Sequence, residues 1–237
     1  MELGRDPREQ WHAIERANDD AEVGAIAMTG AGRGFCAGAD ISAFAAQQES
    51  IASGASRDAS LGTPGDWVAL CRRSKPLVAA VNGAAVGVGM TMILPFDVIV
   101  AAQSAKFGMF FVKMGLVPEL ASTHFLVQRM GFAKASELCL TGRAVSAPEL
   151  ADTGLVNAVV PDDALLERAG ALAAEIAANP DPQLRMIKEL LTRNGADSDL
   201  AAVAKREAEL LRRCYATPEH AEAIRAFREK RPPRFRG

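Results

Sequence analysis

Residues 75–90 read KPLVAAVNGAAVGVGM, an apolar run that passes directly into asparagine, small residues and glycines. The pattern predicts a buried strand at Leu77–Val81, a glycine-rich loop, and a helix start near Gly89. The wider stretch from Pro76 to Phe96 holds 21 residues without a formal charge, about the length that spans a bilayer. Its glycines, its asparagine and Pro95 favour buried elements of a soluble protein over a transmembrane helix.

Another glycine-rich segment, residues 29–40, lies earlier in the chain, reads TGAGRGFCAGAD and follows the strand predicted at Val23–Met28. A dinucleotide-binding fingerprint would need GxGxxG, but Phe35 or Ala37 stands where its last glycine belongs, and the pattern tolerates only the alanine. A plain tight turn is another interpretation. The third is a loop whose backbone N–H groups approach a ligand closely. Two such loops in one chain suggest donors that converge on one oxygen, as in an oxyanion hole.

Composition excludes several classes of protein. The 237 residues carry 27 Lys and Arg against 29 Asp and Glu, a net charge of −2, and 49% are hydrophobic. A nucleic-acid binder usually has a concentrated basic excess, and a disordered chain has low hydrophobicity. The four cysteines are widely spaced and suggest neither a disulfide framework nor a metal site. The N-terminus shows no secretory signal, so we expect a cytoplasmic protein without membrane segments.

Secondary-structure signals divide the chain into a mixed front and a helical back. The segment 43–65 has no firm period and predicts a mobile loop with helical pieces. Strands are predicted at Val23–Met28, Leu77–Val81, Asp97–Ala101 and Leu155–Val160. Helices are predicted at Asp6–Ala17, Phe125–Met130, Ala133–Cys139, Pro148–Thr153, Leu165–Ala178, Pro182–Arg193, Leu200–Tyr215 and Glu219–Phe227. We therefore predict an α/β core over residues 1–175 and a helical C-terminal region over 176–237.

Five stretches, in order from about Asp20 to Phe235, resemble signatures of the crotonase superfamily, the enoyl-CoA hydratase and isomerase group. They are GRGFCAGAD, KPLVAAVNGAAVGVG, FDVIVAAQSAKFG, LTGRAVSAPELADTGLVNAVVP and AFREKRPPRF. The resemblance implies a crotonase-like spiral of ββα turns with a helical C-terminal trimerisation region. It also implies activity on acyl-CoA thioesters through a stabilised enolate. The backbone N–H groups of Ala39 and Val88 match the family's oxyanion donors.

The N-terminus departs from the family pattern. Members usually carry some 25 more residues ahead of the first helix, whereas this chain begins almost at that helix. Either the start site is misassigned or the first turn of the spiral is shortened. In the second case we expect an uncovered sheet edge, which favours association or low stability.

The carboxylates that hydratases of this family use are absent. Their two glutamates correspond to Thr91 and Phe111, neither of which can act as a carboxylate base. Glu119, in the segment VPELAST, matches instead the glutamate in a PE…S motif of 3,2-enoyl-CoA isomerases. One carboxylate suffices for isomerisation, because it can remove a proton from C2 and return it at C4. Glu119 has another interpretation, because Pro118-Glu119 is also good helix-opening chemistry.

Glu119 has apolar neighbours in the sequence, and we expect burial among them to raise its pKa. A raised pKa suits a group that both accepts and donates a proton. The neighbours are Met109, Phe110, Phe111, Met114, Val117 and Leu120.

The resemblance implies further substrate contacts. Asp40 is interpreted either as a turn or helix-capping residue or as a border of the coenzyme A pocket. Lys230 matches a C-terminal lysine near the coenzyme A phosphates, sometimes contributed by a neighbouring subunit, and Phe227 matches an aromatic beside the adenine. A solvated cationic tail is the alternative for this segment. The remaining predicted substrate contacts are Ala37, Ile41 and Phe111.

The sequence thus predicts an enoyl-CoA isomerase that converts 3-enoyl-CoA to 2-enoyl-CoA through Glu119, with Ala39 and Val88 holding the thioester oxygen. No metal or redox cofactor is expected, and coenzyme A enters as part of the substrate. A homotrimer or hexamer is expected from the family. Two alternatives remain open: an enoyl-CoA hydratase, and a catalytically silent subunit that binds acyl-CoA.

Overall fold

Leu77–Val81 forms the central strand of a parallel sheet, and all five of its residues are buried. The computed structural model describes residues 2–3, 7–53 and 65–236 of the chain. Helices or further strands cover both faces of the central strand, which is why its sequence is continuously apolar. In spatial order the sheet contains β1 (Glu2–Leu3), β2 (Ile26–Gly30), β3 (Leu77–Val81), β5 (Val98–Ala102) and β8 (Ala158–Val160).

A second, three-stranded sheet contains β4 (Ala84–Val86), β6 (Lys106–Gly108) and β7 (Ala144–Ser146). β4 pairs with β6 in parallel, and β6 pairs with β7 in antiparallel. The chain passes from β3 to β4 and later from β5 to β6, so each turn contributes one strand to each sheet. This arrangement confirms the predicted α/β fold with a crotonase-like spiral.

Ten α-helices occur in the described part of the chain, and none is long and apolar enough to cross a bilayer. Two short 3₁₀ helices lie at Phe110–Met114 and Asp162–Ala164. The α-helices are α1 (Pro7–Asp19), α2 (Ile41–Ala52), α3 (Trp67–Arg73), α4 (Val88–Thr91), α5 (Ser122–Thr141), α6 (Ala147–Leu150), α7 (Leu165–Ala177), α8 (Asp181–Asn194), α9 (Leu200–Tyr215) and α10 (Pro218–Arg228).

The C-terminal helices pack on the sheet and on one another. α7 packs across β2, β3 and β5, α8 packs against α3 and α9, and α10 packs against α9. Asp199 and Thr217 cap α9 and α10 by accepting hydrogen bonds from backbone N–H groups of the first turn. The predicted division between residues 175 and 176 falls in the last turn of α7, and it stays a prediction.

Several elements differ from the sequence expectation. The segment 43–65 is predicted to be a loop with helical pieces, but α2 continues to Ala52; residues 54–64 lie outside the described residues. The predicted strand Leu155–Val160 is extended only over its last three residues. The two helices predicted on either side of position 131 are present, separated by Gly131 at φ 75°.

A cluster of charges around the buried Lys188 fixes α8 to the sheet. The Nζ atom of Lys188, a residue only 3% exposed, lies 2.6 Å from Oδ2 of Asp97. Asp97 also pairs with Arg72 at 3.2 Å and accepts the backbone N–H of Leu77, the first residue of β3. Removing one partner from such a buried pair costs about 3–5 kcal/mol, so this contact strongly stabilises the position of α8.

Candidate active site

The two glycine-rich loops lie against each other. The first loop lies within residues 29–40, after β2, and the second loop follows β3 and leads to α4. The N–H of Cys36 donates to the carbonyl of Ala84 at 2.8 Å, and the N–H of Val86 donates to the carbonyl of Cys36 at 3.0 Å. Residues 36 and 85 therefore form a short parallel bridge between the loops. The bridge brings the segment after β2 beside the segment after β3, as expected for parallel strands whose carboxyl ends share one edge of a sheet.

Two glycines are required for this close approach. A Cβ atom on Gly89 would lie 2.2 Å from the carbonyl oxygen of Cys36, so no other residue fits there without moving the backbone. Gly38 has φ +99°, a left-handed conformation that side chains rarely adopt, and a Cβ atom there would lie 3.3 Å from the carbonyl oxygen of Val86. The glycines thus serve the contact between the loops, and the dinucleotide-binding interpretation has no support in this geometry.

The backbone N–H groups of the two predicted oxyanion donors take no part in the hydrogen bonds that join these loops. Val88 begins α4, and Gly87, at its N-cap position, offers no side-chain cap. Within residues 7–53 and 65–236, neither the N–H of Val88 nor that of Ala39 donates a hydrogen bond. Ala39 is exposed and Val88 is half-buried. Both N–H groups are therefore available to an acceptor on a ligand.

Glu119 lies beside α4, where it meets Thr91. The Thr91 hydroxyl donates to Oε1 of Glu119 at 2.6 Å, and the same hydroxyl lies 3.4 Å from the carbonyl of Val88. Glu119 is half-buried, and this burial raises its pKa above the ordinary glutamate value. The hydrogen bond from Thr91 acts in the opposite direction because it favours the ionised carboxylate. The sequence pattern thus predicted the direction of the shift correctly.

The helix-opening interpretation of Pro118-Glu119 is wrong, because α5 begins only at Ser122. Between Glu119 and the helix, Leu120 and Ala121 have φ values of 57° and 52°. Two consecutive left-handed residues other than glycine are costly, at about 1–3 kcal/mol each. This turn holds Glu119 apart from the helix and directs the chain so that its carboxylate reaches α4.

The apolar surroundings of Glu119 differ in part from the expectation. Met109 is fully buried, and Phe111 and Leu120 pack against the hydrophobic core. Met114 and Val117, however, are 51% and 82% exposed, so the prediction that they help to enclose Glu119 is wrong for this chain. Met114 is the last residue of the 3₁₀ helix and Val117 follows it, on a surface segment that the core does not cover.

The predicted substrate contacts near the first loop have clear structural positions. Asp40 caps α2 by accepting the N–H of Ser42 at 2.9 Å, which confirms the capping interpretation and lowers its pKa. Ala37 is exposed in the loop beside the bridge. Ile41 is the first residue of α2, and its side chain lies outside the described part of the structure.

The predicted contacts at the C-terminus lie in α10 and directly after it. Phe227 is 85% exposed on α10, so its ring makes little contact with the described part of its own chain. Lys230 follows the helix in a left-handed turn with φ 53°, and its backbone N–H donates to the carbonyl of Phe227. Any contribution of these two residues to substrate binding stays a prediction.

Thr91 is the site residue that sequence reasoning missed. The sequence identified it only as a position that lacks a glutamate. Its contact with Glu119 joins residues 28 positions apart, so no local pattern reveals it. The sequence signal that could have identified Thr91 was its hydroxyl group, because Thr91 lies in α4, the same helix as the Val88 donor.

Comparison with known proteins agrees with this geometry. The enoyl-CoA hydratase/isomerase family profile matches residues 7–237. The chain belongs to this family. It is 37% identical over 223 residues to a probable enoyl-CoA hydratase of Mycobacterium tuberculosis, covering 94% of this chain and 84% of that protein. It is 34% identical to 1,2-epoxyphenylacetyl-CoA isomerase of Escherichia coli, over 94% and 85% of the two chains.

Solved structures of the enoyl-CoA hydratase/isomerase family share the fold. An enoyl-CoA hydratase from Polaromonas sp. JS666 superimposes with a TM-score of 0.86 at 32% identity, covering 95% of this chain and 87% of that one. The names of the relatives include both hydratases and isomerases. Family membership therefore establishes the fold and the class of enzyme, and the choice between the two reactions depends on the residues at the site.

Proposed function

We propose that this enzyme isomerises a 3-enoyl-CoA to a 2-enoyl-CoA, with Glu119 as the only acid/base. The observation that carries the proposal is the 2.6 Å hydrogen bond from Thr91, which joins the Glu119 carboxylate to the helix that begins with the Val88 donor. Enolate chemistry needs a carboxylate base and a backbone donor in one site, and α4 carries both the Thr91 contact to Glu119 and the Val88 donor.

The reaction moves one proton within the substrate. The thioester oxygen accepts hydrogen bonds from the N–H groups of Ala39 and Val88, and Glu119 removes a proton from C2. The electron pair of that C–H bond shifts toward the oxygen and gives an enolate. Glu119 then returns the proton to C4, and the double bond comes to lie between C2 and C3. No electrons leave the substrate, so the reaction needs no redox cofactor.

Burial of Glu119 supports both halves of this cycle. A carboxylate with a raised pKa is a stronger base than an exposed one, and its protonated form persists long enough to donate at C4. Each oxyanion donor contributes about 3–4 kcal/mol of barrier lowering in comparable sites. The side chain of Val88 leaves its own N–H in place, so the valine retains the donor.

The names of several relatives favour hydration as the second candidate function. Adding water across a conjugated thioester requires one group to activate water and another to protonate C2. Thr91 and Phe111 offer no second carboxylate, so Glu119 would have to act alone. A site with one carboxylate favours isomerisation over hydration.

The function is tested by offering the purified full chain a 3-enoyl-CoA and a 2-enoyl-CoA in parallel and analysing the products by mass spectrometry and absorbance. We expect conversion of the 3-enoyl substrate to the conjugated isomer, with little hydration of the 2-enoyl substrate. A 3-hydroxyacyl product as the main outcome would establish a hydratase. Binding of both thioesters without turnover would establish a silent subunit.

We also propose that Phe227 and Lys230 contact the nucleotide of coenzyme A bound to a neighbouring subunit. Their exposure on α10 is compatible with such a role in a homotrimer or hexamer. The oligomeric state is measurable by sedimentation equilibrium.

Thr91→Val should move the acidic limb of the kcat/KM profile to higher pH. The base must be ionised, and losing the Thr91 hydrogen bond disfavours the ionised form, so the pKa of Glu119 rises further. A hydrogen bond to a charged group contributes about 1.5–3 kcal/mol. Glu119 is only half-buried, so we expect the lower end of this range, a fall of about tenfold in kcat/KM on the acidic side.

Thr91→Ser is the matched control, because serine retains the hydroxyl and should keep the acidic limb near its wild-type position. Valine has almost the same shape as threonine, so packing around the fully buried residue 91 changes little. Identical pH profiles for the valine and wild-type enzymes, with normal folding, would contradict the assigned role of Thr91.

A further inference from the structure

A cavity of about 610 Å³ lies between α3, α8 and α9, and five arginines line it. It lies near the end of β3 where the strand begins, because α3 ends at Arg73 just before that strand, whereas the glycine-rich loops follow the other end. Its volume is within the range of small-molecule sites, about 300–1,000 Å³. The arginines are Arg72, Arg73, Arg185, Arg193 and Arg213.

The cations around this arginine cavity outnumber the carboxylates that pair with them. Arg73, Arg185 and Arg193 each have one carboxylate partner, at 2.5–2.9 Å. Arg72 shares Asp97 with the buried Lys188, so that single carboxylate faces two cations. The surplus charge is positive although the whole chain has a net charge of −2.

Arg213 adds a second uncompensated cation. It forms no ion pair with any residue in the described part of the chain. Arg193 commits only its Nη1 atom, to Glu189 at 2.8 Å, which leaves other N–H groups of its guanidinium open to a ligand. A concave surface with one sign of charge concentrates the field and attracts counter-ions.

Glu189 and Thr192 also line the cavity, and the remaining part of its wall is apolar. Ala69, Pro182 and Met186 line it together with the hydrocarbon stems of the arginines. An inorganic ion alone would leave this apolar wall uncovered. The wall instead fits a ligand that combines an apolar or aromatic body with a strongly charged group.

We propose that the arginine cavity binds an organic phosphate of nucleotide size, with its phosphate groups on Arg193 and Arg213. The planar guanidinium donates two parallel hydrogen bonds to phosphate oxygens, which makes arginine well suited to phosphates. The apolar wall receives the body of the ligand. The site is separate from Glu119 and Thr91 and takes part in neither step of the proposed isomerisation.

Titration calorimetry on the full chain tests the proposal, with adenosine diphosphate as the probe and with adenosine and inorganic pyrophosphate as its separate parts. We expect the diphosphate to bind more tightly than either part, because it engages both the arginines and the apolar wall. Arg213→Gln should weaken binding of the diphosphate about tenfold, since a charge-assisted bond is lost. The rate of isomerisation should not change.

Arg212→Gln is the matched control, because it removes the same charge from the same turn of α9 at a residue that does not line the cavity. Equal weakening by both substitutions would show a general charge effect and overturn the proposal. So would the absence of binding to the wild-type chain. Binding that resists Arg213→Gln and competes with acyl-CoA would assign the ligand to the acyl-CoA site and would also overturn it.

Discussion

Glu119→Gln is expected to lower kcat for isomerisation about 10²–10⁴-fold, the usual contribution of a positioned general acid/base. Glutamine has nearly the same shape and can still accept the Thr91 hydrogen bond, but it cannot take up the C2 proton. Binding of the substrate should persist, because the oxyanion donors are backbone groups. The decisive measurement is exchange of C2 hydrogen with deuterated solvent, which should disappear together with turnover.

The pH dependence of the folding stability distinguishes a chemical role of Glu119 from a structural one. Its folded-state pKa is raised, so the wild-type protein loses stability as pH rises from the unfolded-state pKa through the folded-state pKa. Above that range the glutamine variant should be at least as stable as the wild type. Below the unfolded-state pKa, where both side chains are neutral, this advantage should vanish. A variant that folds normally and isomerises at the wild-type rate would refute the assignment.

The fold was predictable where apolar segments are long. β3 is a continuous apolar run because both faces of the strand are covered, and α9 has a clear helical period over sixteen residues. β4, β6 and β7 contain three residues each, too few for any periodicity to be recognised. Those short strands form only because the longer ones bring their neighbours together.

Individual candidate residues could be proposed from the sequence, but the contacts that join them could not. Motif resemblance identified Glu119, while its local sequence remained equally compatible with a helix start. The left-handed turn at Leu120 and Ala121 excludes that start, although neither residue type signals such a conformation. The exposure of Val117 depends on which segments fold over it, so composition alone predicted a closer enclosure than the chain provides.

The second change with a large expected effect is Gly89→Ala. The added methyl carbon would lie 2.2 Å from the carbonyl oxygen of Cys36 and 2.7 Å from its Cβ atom. Backbone cannot be compressed to that distance, so the first loop must move away from α4. We expect a loss of about 1–3 kcal/mol in the free energy of unfolding, as for other overpacked sites.

The same displacement should separate the N–H of Ala39 from that of Val88. Removing one oxyanion donor typically lowers kcat about 10²–10³-fold, so Gly89→Ala should lose at least that much turnover in molecules that remain folded. Gly34→Ala is the matched control in the first loop, since a methyl group there meets no atom within 4 Å. Melting curves and kcat should be measured for both. If the Gly89→Ala variant melts below the wild type yet keeps its kcat, the loops support the fold without supplying the oxyanion donors. If it loses turnover while the Gly34→Ala variant does not, the contact between the loops sets the spacing of the two backbone amides.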